Sequence, residues 1–370
     1  MQRQKEITIG KTKIGGNSPC FIVAEIGINH DGNLDQALKL IDIAADAKCS
    51  AVKFQLFNAS RMYVKGAGKY RVPTGEKKEI IKIVQDAVLP ETWIATLKNY
   101  SASRGLLFFS SVFDEHSADV LERHGVDLYK IASYEMTHIP LFRHVARIRK
   151  PIIFSCGGAR IREVAEAMEV IEAEQNRDIV LMHCMAKYPT ALMELNLNIL
   201  KTLKLAFPNA VIGHSDHSAD PTQAAEAAVA LGAKVIEKHI TLDNNLPGPD
   251  HSFALNPRRL RKMVKVIRNT EQKVSLGEKV HVNPAVLGSS ERKTFAVENY
   301  VRHFCYRGVF TTKRITLGER FGKRNIAVLR PGEIKNGLHP RYFELLIKGY
   351  KSSREIPEAR GLVWNDVLLR

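Results

Sequence analysis

The residues best placed to do chemistry together are Gly213-His214-Ser215-Asp216-His217 and, on the next apolar run, Glu237-Lys238-His239. His217 and His239 each fall at or just past the end of such a run. Two imidazoles at the ends of adjacent parallel strands can converge on one divalent ion, with water or substrate oxygens completing its shell. Imidazole suits Zn, Fe, Ni or Mn, and oxygen ligands shift the preference toward harder ions. His214 alternates against the other two and is expected to pack. A second set is cationic and hydroxylic: Lys53, Lys130, Ser133, Ser155 and Ser215. Ammonium and hydroxyl donors at strand ends suit a phosphate and a carboxylate, through charge-assisted hydrogen bonds. Any one of these serines is better explained by a turn; as a set on one face they favour an anion site.

Glu25, Glu135 and Asp250 complete the inventory, each able to act as acid, base or holder of a hydroxyl. Pro247 and Pro249 stiffen the loop that carries Asp250. The lysines leave a second chemistry open, since Lys53 or Lys130 could serve as the Schiff-base amine of a class I aldolase. Cys156 and Cys184 sit at run ends, where small buried core residues are the expected role. No Walker A or Gly-x-Gly-x-x-Gly pattern occurs, so a nucleotide cofactor is not supported.

What must position these residues is a series of eight short apolar runs: 21–27, 51–57, 106–112, 126–133, 151–157, 179–185, 210–216 and 233–241. Nearly every run ends in a reactive side chain. Helical periodicity fills the gaps, at 33–47, 91–103, 115–124, 139–149, 161–173, 196–207, 221–231 and 256–272. Buried parallel strands read as continuous apolar runs, and unbroken βα alternation predicts a closed (β/α)8 TIM barrel with its site at the strands' carboxyl ends. The connection from Phe57 to about Pro90 is long, with Gly66, Gly68, Pro73 and Gly75. It reads equally as a lid or substrate-binding loop and as a plain surface excursion.

The 370 residues suit one barrel plus a smaller module. The expected division is a barrel over 1–275, a linker over 276–305 and a mostly β module over 306–370. Strands are expected in the module at 308–312, 325–329 and 361–364, in a unit small enough to be marginal alone. No apolar run is long enough to cross a membrane, and Met1-Gln2-Arg3-Gln4-Lys5 lacks a signal peptide's apolar stretch, so a cytoplasmic protein without membrane partners is expected. Five unpaired cysteines suggest neither a disulfide framework nor a Cys-type zinc site. The net charge of +16 is scattered. Its densest stretch, Arg258-Arg259-Leu260-Arg261-Lys262, reads as a solvated helix face, and nucleic acid is not an expected partner.

Several motifs, in order, resemble the sialic acid synthase family. They are Ala24-Glu25-Ile26-Gly27-Ile28-Asn29-His30-Asp31-Gly32, Val52-Lys53-Phe54-Gln55, Tyr129-Lys130-Ile131-Ala132-Ser133 and His183-Cys184. Tyr188-Pro189-Thr190, Ser215-Asp216-His217, Ile236-Glu237-Lys238-His239 and Pro247-Gly248-Pro249-Asp250-His251 continue the series. Tyr306–Thr312 and Asn325–Gly332 look like the antifreeze-like (SAF) module that ends these synthases. Gly337-Leu338-His339-Pro340-Arg341-Tyr342 looks most like the family's spore coat polysaccharide biosynthesis branch.

The resemblance implies a transferase that condenses phosphoenolpyruvate with an open-chain N-acylated hexosamine, using Mn²⁺ or Mg²⁺. It gives His217 and His239 to the metal. Lys53, Lys130, Ser133, Ser155 and Ser215 go to phosphoenolpyruvate, Glu25 to water or protons near its C2, and Glu135 and Asp250 to sugar hydroxyls. Gln55, Ser111 and Tyr188 join the substrate site. It also implies a homodimer in which one chain's module covers the partner's barrel, Arg330 reaching the sugar's N-acyl group. The sequence departs from the family pattern at Ala186, where an Asn is usual, and at Ser155-Cys156-Gly157-Gly158, where Ser-Thr-Gly is usual. These departures leave the sugar open. A Schiff-base aldolase and a catalytically silent barrel binding polysaccharide or nucleic acid remain the rival readings.

Overall fold

The structure, a computed structural model, describes residues 5–72 and 75–368. Pro73 and the first four residues, named above, lie outside them. Eight parallel strands close into a barrel: β1 (Phe21–Gly27), β2 (Ala51–Leu56), β3 (Leu107–Val112), β4 (Tyr129–Ile131), β5 (Ile152–Ser155), β6 (Ile179–Cys184), β7 (Val211–Asp216) and β8 (Val235–His239). Each expected run supplies one strand. The β-branched and aromatic residues between the reactive positions point outward and pack under the helices; Phe142 and Phe154 meet edge to face at 5.4 Å. The helix Pro257–Ser275 buries Leu260, Met263, Val264 and Ile267, an i, i+3, i+4, i+7 stripe. Arg258, Arg261 and Lys262 are left in solvent, as expected of a solvated face.

Register sets the level of the site. Glu25 lies opposite Lys53 and His239, Ser111 opposite Gln55 and Lys130, and Ser215 opposite Cys184 and Glu237. Alternation along each strand aims these side chains inward at the carboxyl end. A bulge between Glu25 and Gly27 shifts the β1–β2 register. Gly27 has φ +55°, and a Cβ there would stand 3.0 Å from the Glu25 carboxylate and 3.2 Å from the Gln55 amide. A hairpin pairing Glu6–Ile9 with Thr12–Gly15 adds Ile7, Ile9 and Ile14 to the barrel's core.

The long connection after β2 is structured. It holds a short hairpin, Lys69–Arg71 with Lys77–Glu79, and a helix, Ile80–Asp86, that stand over the barrel mouth. Residues 276–305 are not a free tether. They contain 3₁₀ turns at Pro284–Val286 and Ala296–Glu298 and the helix Asn299–Cys305, and they bury Arg292 and Glu298.

In the terminal module β9 (Gly308–Thr311) pairs antiparallel with β10 (Ile326–Leu329). The strand expected at 361–364 does not form. Gly361 makes a single bridge to Phe310, and Trp364–Asp366 is a 3₁₀ turn. The backbone of Asn336–Gly337 lies too close for a strand with side chains: a Cβ on Gly361 would meet Gly337 N at 2.7 Å.

The module lies on the barrel of its own chain. Arg330 N donates to Met62 O at 2.9 Å, Val64 N to Arg330 O at 3.1 Å, and Glu333 N to Ala67 O at 2.8 Å. The segment before the module is anchored along the same barrel rim, Thr294 Oγ1 donating to Gly158 O at 2.8 Å. Among the described residues no helix is long and apolar enough to cross a membrane.

Candidate active site

Two connected cavities occupy the barrel mouth. The lower is narrow and is lined by Glu25, Lys53, Ser111, Lys130, Ser133, Ser155, Ser215, His217 and Glu237, among others. The Lys53 ammonium lies 3.0 Å from the Glu25 carboxylate, 2.9 Å from Ser111 Oγ and 3.5 Å from Glu237. Lys130 donates to Ser155 Oγ and lies 3.9 Å from Glu237, which accepts from Ser215 Oγ at 2.8 Å. Gly157 N donates to Ser133 Oγ at 3.0 Å. Cations and hydroxyls therefore surround a small space open on one side.

Burial sets the charge states here. Desolvation pushes the Glu25 carboxyl up to about 7, against the pull of Lys53. Burial also acts to raise Glu237, but the ammoniums of Lys130 and Lys53 outweigh it and hold this carboxylate low. Lys53 is held up, its desolvation overcome by Glu237 and Glu25, while desolvation pushes Lys130 down. The pair Glu25 and Glu237 thus splits into a carboxyl poised near neutrality and a permanent anion.

His217 and His239 stand at the junction of the cavities, ring centroids 5.7 Å apart. His217 Nδ1 donates to Met185 O at 2.8 Å, which fixes its tautomer and leaves Nε2 as an acceptor, 3.8 Å from the Cys184 thiol. His239 Nδ1 is buried without a hydrogen-bond partner, 3.5 Å from Asp250. Desolvation lowers both rings, His217 to about 4, so both are neutral donors. Among the described residues no group of three or more His, Cys, Asp or Glu side chains encloses an ion. Two neutral imidazoles, His239 with an unpartnered buried Nδ1, are the donors this site offers a divalent ion, whose other positions would fall to water or substrate. The Tyr188 ring stacks on His217 at 4.0 Å. Cys184 also faces this space, its Sγ 3.6 Å from His217 Nδ1; burial pushes the thiol up to about 12 and keeps it neutral. Cys156 is an ordinary buried residue.

The upper cavity, of about 470 Å³, shares Gln55, Tyr134, Tyr188 and His239 with the lower. Asp250 enters it from the proline-stiffened loop, its carboxyl pushed up to about 7 by burial. The helix Ile80–Asp86 gives it an apolar wall through Ile80, Ile83 and Val84, so the long connection lines the cavity rather than running as a plain surface excursion. Arg330 reaches in from the module, its guanidinium bonded to Glu135 and centred 5.4 Å from the rings of Tyr63, Phe113 and Tyr134.

Of the expected site residues, thirteen meet at these two cavities: Glu25, Lys53, Gln55, Ser111, Lys130, Ser133, Ser155, Tyr188, Ser215, His217, His239, Asp250 and Arg330. Glu135 does not. It is fully buried, lines neither cavity, and binds Arg307 with one oxygen and Arg330 with the other. It aims an arginine, and both of its oxygens are bonded inside the protein, away from the two cavities. Glu237 had no role assigned, although strand alternation places it on the same inward face as His239. Arg307, which also donates to Arg61, Phe113 and Val328 carbonyls, carried no local signal.

Comparison with known proteins places this geometry. Residues 40–280 match the model of the NeuB family. The chain is 51% identical to the spore coat polysaccharide biosynthesis protein SpsE of Bacillus subtilis, over 98% of this chain and 97% of that one. Its crystal structure superposes with a TM-score of 0.90, at 50% identity and 99% coverage of both chains. The N,N'-diacetyllegionaminic acid synthase of Campylobacter jejuni is 36% identical over 91% of this chain and 99% of its own. The N-acetylneuraminic acid synthetase structure from Leptospira borgpetersenii matches with a TM-score of 0.67 and 35% identity, covering 76% of this chain and 94% of that one.

Proposed function

Because the chain belongs to the NeuB family, we propose that it is a phosphoenolpyruvate-dependent nonulosonic acid synthase. Its acceptor is the open-chain form of an N-acylated hexosamine, and its product feeds a surface or spore coat polysaccharide. The setting is the cytoplasm, where phosphoenolpyruvate is made. The observation that carries this reading is the stacking of an ammonium-and-hydroxyl cavity beneath a roomier one, with two neutral imidazoles at their junction.

Lys53 and Lys130 neutralise the phosphate and carboxylate of phosphoenolpyruvate, and Ser111, Ser133, Ser155 and Ser215 donate to its oxygens. Its C3 then faces the upper cavity. There Gln55, Tyr188 and Asp250 hold the sugar's hydroxyls, and Arg330 holds its N-acyl oxygen. A divalent ion on His217 and His239, Mn²⁺ or Mg²⁺ by resemblance, would supply Lewis-acid polarisation of the aldehyde oxygen. C3 bonds to the aldehyde carbon, whose oxygen takes up a proton. Water adds at C2 and gives a proton to Glu25, whose carboxyl, poised near 7, exchanges protons at neutral pH. The C2–O bond to phosphate breaks as the new C2 hydroxyl gives its proton to the departing phosphate, leaving inorganic phosphate and the 2-keto acid.

Phosphoenolpyruvate carrying oxygen-18 in its bridging position tests the sequence of steps. The reading expects the label in the released phosphate. Label retained in the keto acid would overturn it. Lys130, with its ammonium pushed down by burial, is the feature a Schiff-base aldolase would also use. Borohydride trapping of pyruvate on Lys130 or Lys53 would favour that second reading.

A further inference from the structure

The barrel rim contains a buried ion pair that comes from the segment between barrel and module. Arg292 and Glu298 are both wholly buried, their charged ends 2.9 Å apart. Glu298 Oε1 accepts from Gly158 N at 2.6 Å and from Ala186 N at 3.0 Å. Its other oxygen accepts from Arg292 and from Phe295 N at 3.0 Å. Arg292 in turn donates to Ala159 O at 2.8 Å and to Cys184 O at 3.3 Å. One ion pair thus grips the backbone of two loops, those after β5 and β6, by an N–H and a carbonyl of each.

Both loops carry site residues. After β5, Gly157 N donates to Ser133 Oγ, two residues beyond Ser155. After β6, the gripped positions Cys184 and Ala186 flank Met185, whose carbonyl accepts from His217 Nδ1 at 2.8 Å, and Tyr188 follows to stack on the same ring. The gripped Gly158 and Ala186 carry no polar side chain with which to brace a loop. Bonds from outside must supply that rigidity, and buried backbone groups must find partners in any case.

We propose that Arg292 and Glu298 are positioning residues for the reaction, clamping the phosphoenolpyruvate-binding loop and the loop that orients His217. The clamp touches no substrate. A well-satisfied buried pair of this kind specifies one geometry rather than adding much net stability. The kinetic consequence rests on the synthase reading; the ordering of the two loops does not.

The test uses the full chain and three variants. Glu298→Ala removes the acceptor for both loop amides. Glu298→Gln keeps an amide oxygen for them while giving up the charge pair with Arg292. Arg292→Lys keeps the pair but withdraws the guanidinium from the two carbonyls. Amide hydrogen exchange at Gly158 and Ala186 is expected to quicken at least tenfold in Glu298→Ala and to return within about threefold of wild type in Glu298→Gln, although both melt at lower temperature. The KM for phosphoenolpyruvate should follow exchange rather than melting temperature, rising at least tenfold in Glu298→Ala. Should Glu298→Ala not fold, Arg292→Lys is expected to raise the same KM at least threefold. Unchanged exchange, or kinetics that follow melting temperature alone, would overturn the proposal. A wild-type chain that does not turn over phosphoenolpyruvate would sink the synthase reading instead, and exchange would still decide the clamp.

Discussion

Arg330→Ala separates acceptor recognition from donor recognition. Two of the guanidinium's nitrogens are committed to Glu135, and the third lies 3.4 Å from Tyr63 Oη, a long contact that an acceptor carbonyl can displace. Coulombic attraction from Glu135 overcomes the burial that would lower this group, so the guanidinium stays charged. A hydrogen bond to a charged group contributes about 1.5–3 kcal/mol. With about 1.4 kcal/mol per decade, acceptor KM should rise roughly 10- to 100-fold. Glu135 retains Arg307, so the fold should lose less than the about 3–5 kcal/mol typical of orphaning a buried charge. Initial rates with each substrate varied against a saturating concentration of the other, beside a melting curve, give both quantities. Phosphoenolpyruvate KM should change less than threefold. Equal rises in both KM values, or none in either, would refute an acceptor contact by Arg330.

His217→Ala or His239→Ala should abolish turnover and its dependence on added metal while circular dichroism stays native; wild-type rates in either would remove the metal assignment. With Glu25 raised from 4.5 to about 7 by burial, and acting as the base, kcat should climb with pH and level off above about 7. That limb should vanish in Glu25→Gln and survive in Asp250→Asn. The same shift runs the other way in stability: the folded chain binds more protons than the unfolded one between about 4.5 and 7, so Glu25 makes the fold less stable as pH rises through that window. Glu25→Gln should flatten the decline in melting temperature over that range. Since the module covers its own barrel, mixing Arg330→Ala with Lys130→Ala should restore no activity. A swapped dimer would recover part of it, and recovery would contradict the placement in one chain.

The barrel was legible because each buried strand had to be apolar along its length and polar where it opened on the mouth. Phe54 and Gln55 on β2 show both demands side by side. The cradle followed from that pattern, as did His217 and His239. Glu237 was equally readable by alternation. Glu135 was not, because its role depends on Arg307, a partner 172 residues away with no periodic signal. The Arg292–Glu298 pair was hidden in the same way inside a stretch whose Asn-Pro and Gly-Ser composition suggests a tether. Gly361 misled for a steric reason: it occupies a close backbone crossing, where an apolar neighbour, Leu362, imitates the start of a strand. Local pattern fixes which face a residue takes; long-range ion pairs decide what it holds.

The most direct measurement is phosphate release from phosphoenolpyruvate by the purified chain, with Mn²⁺ and a panel of N-acylated 2-amino and 2,4-diamino hexoses. The synthase reading expects release that requires both a sugar and the metal, with a nine-carbon 2-keto acid formed in equal amount. Release without a sugar, or none across the panel from folded protein, would contradict it.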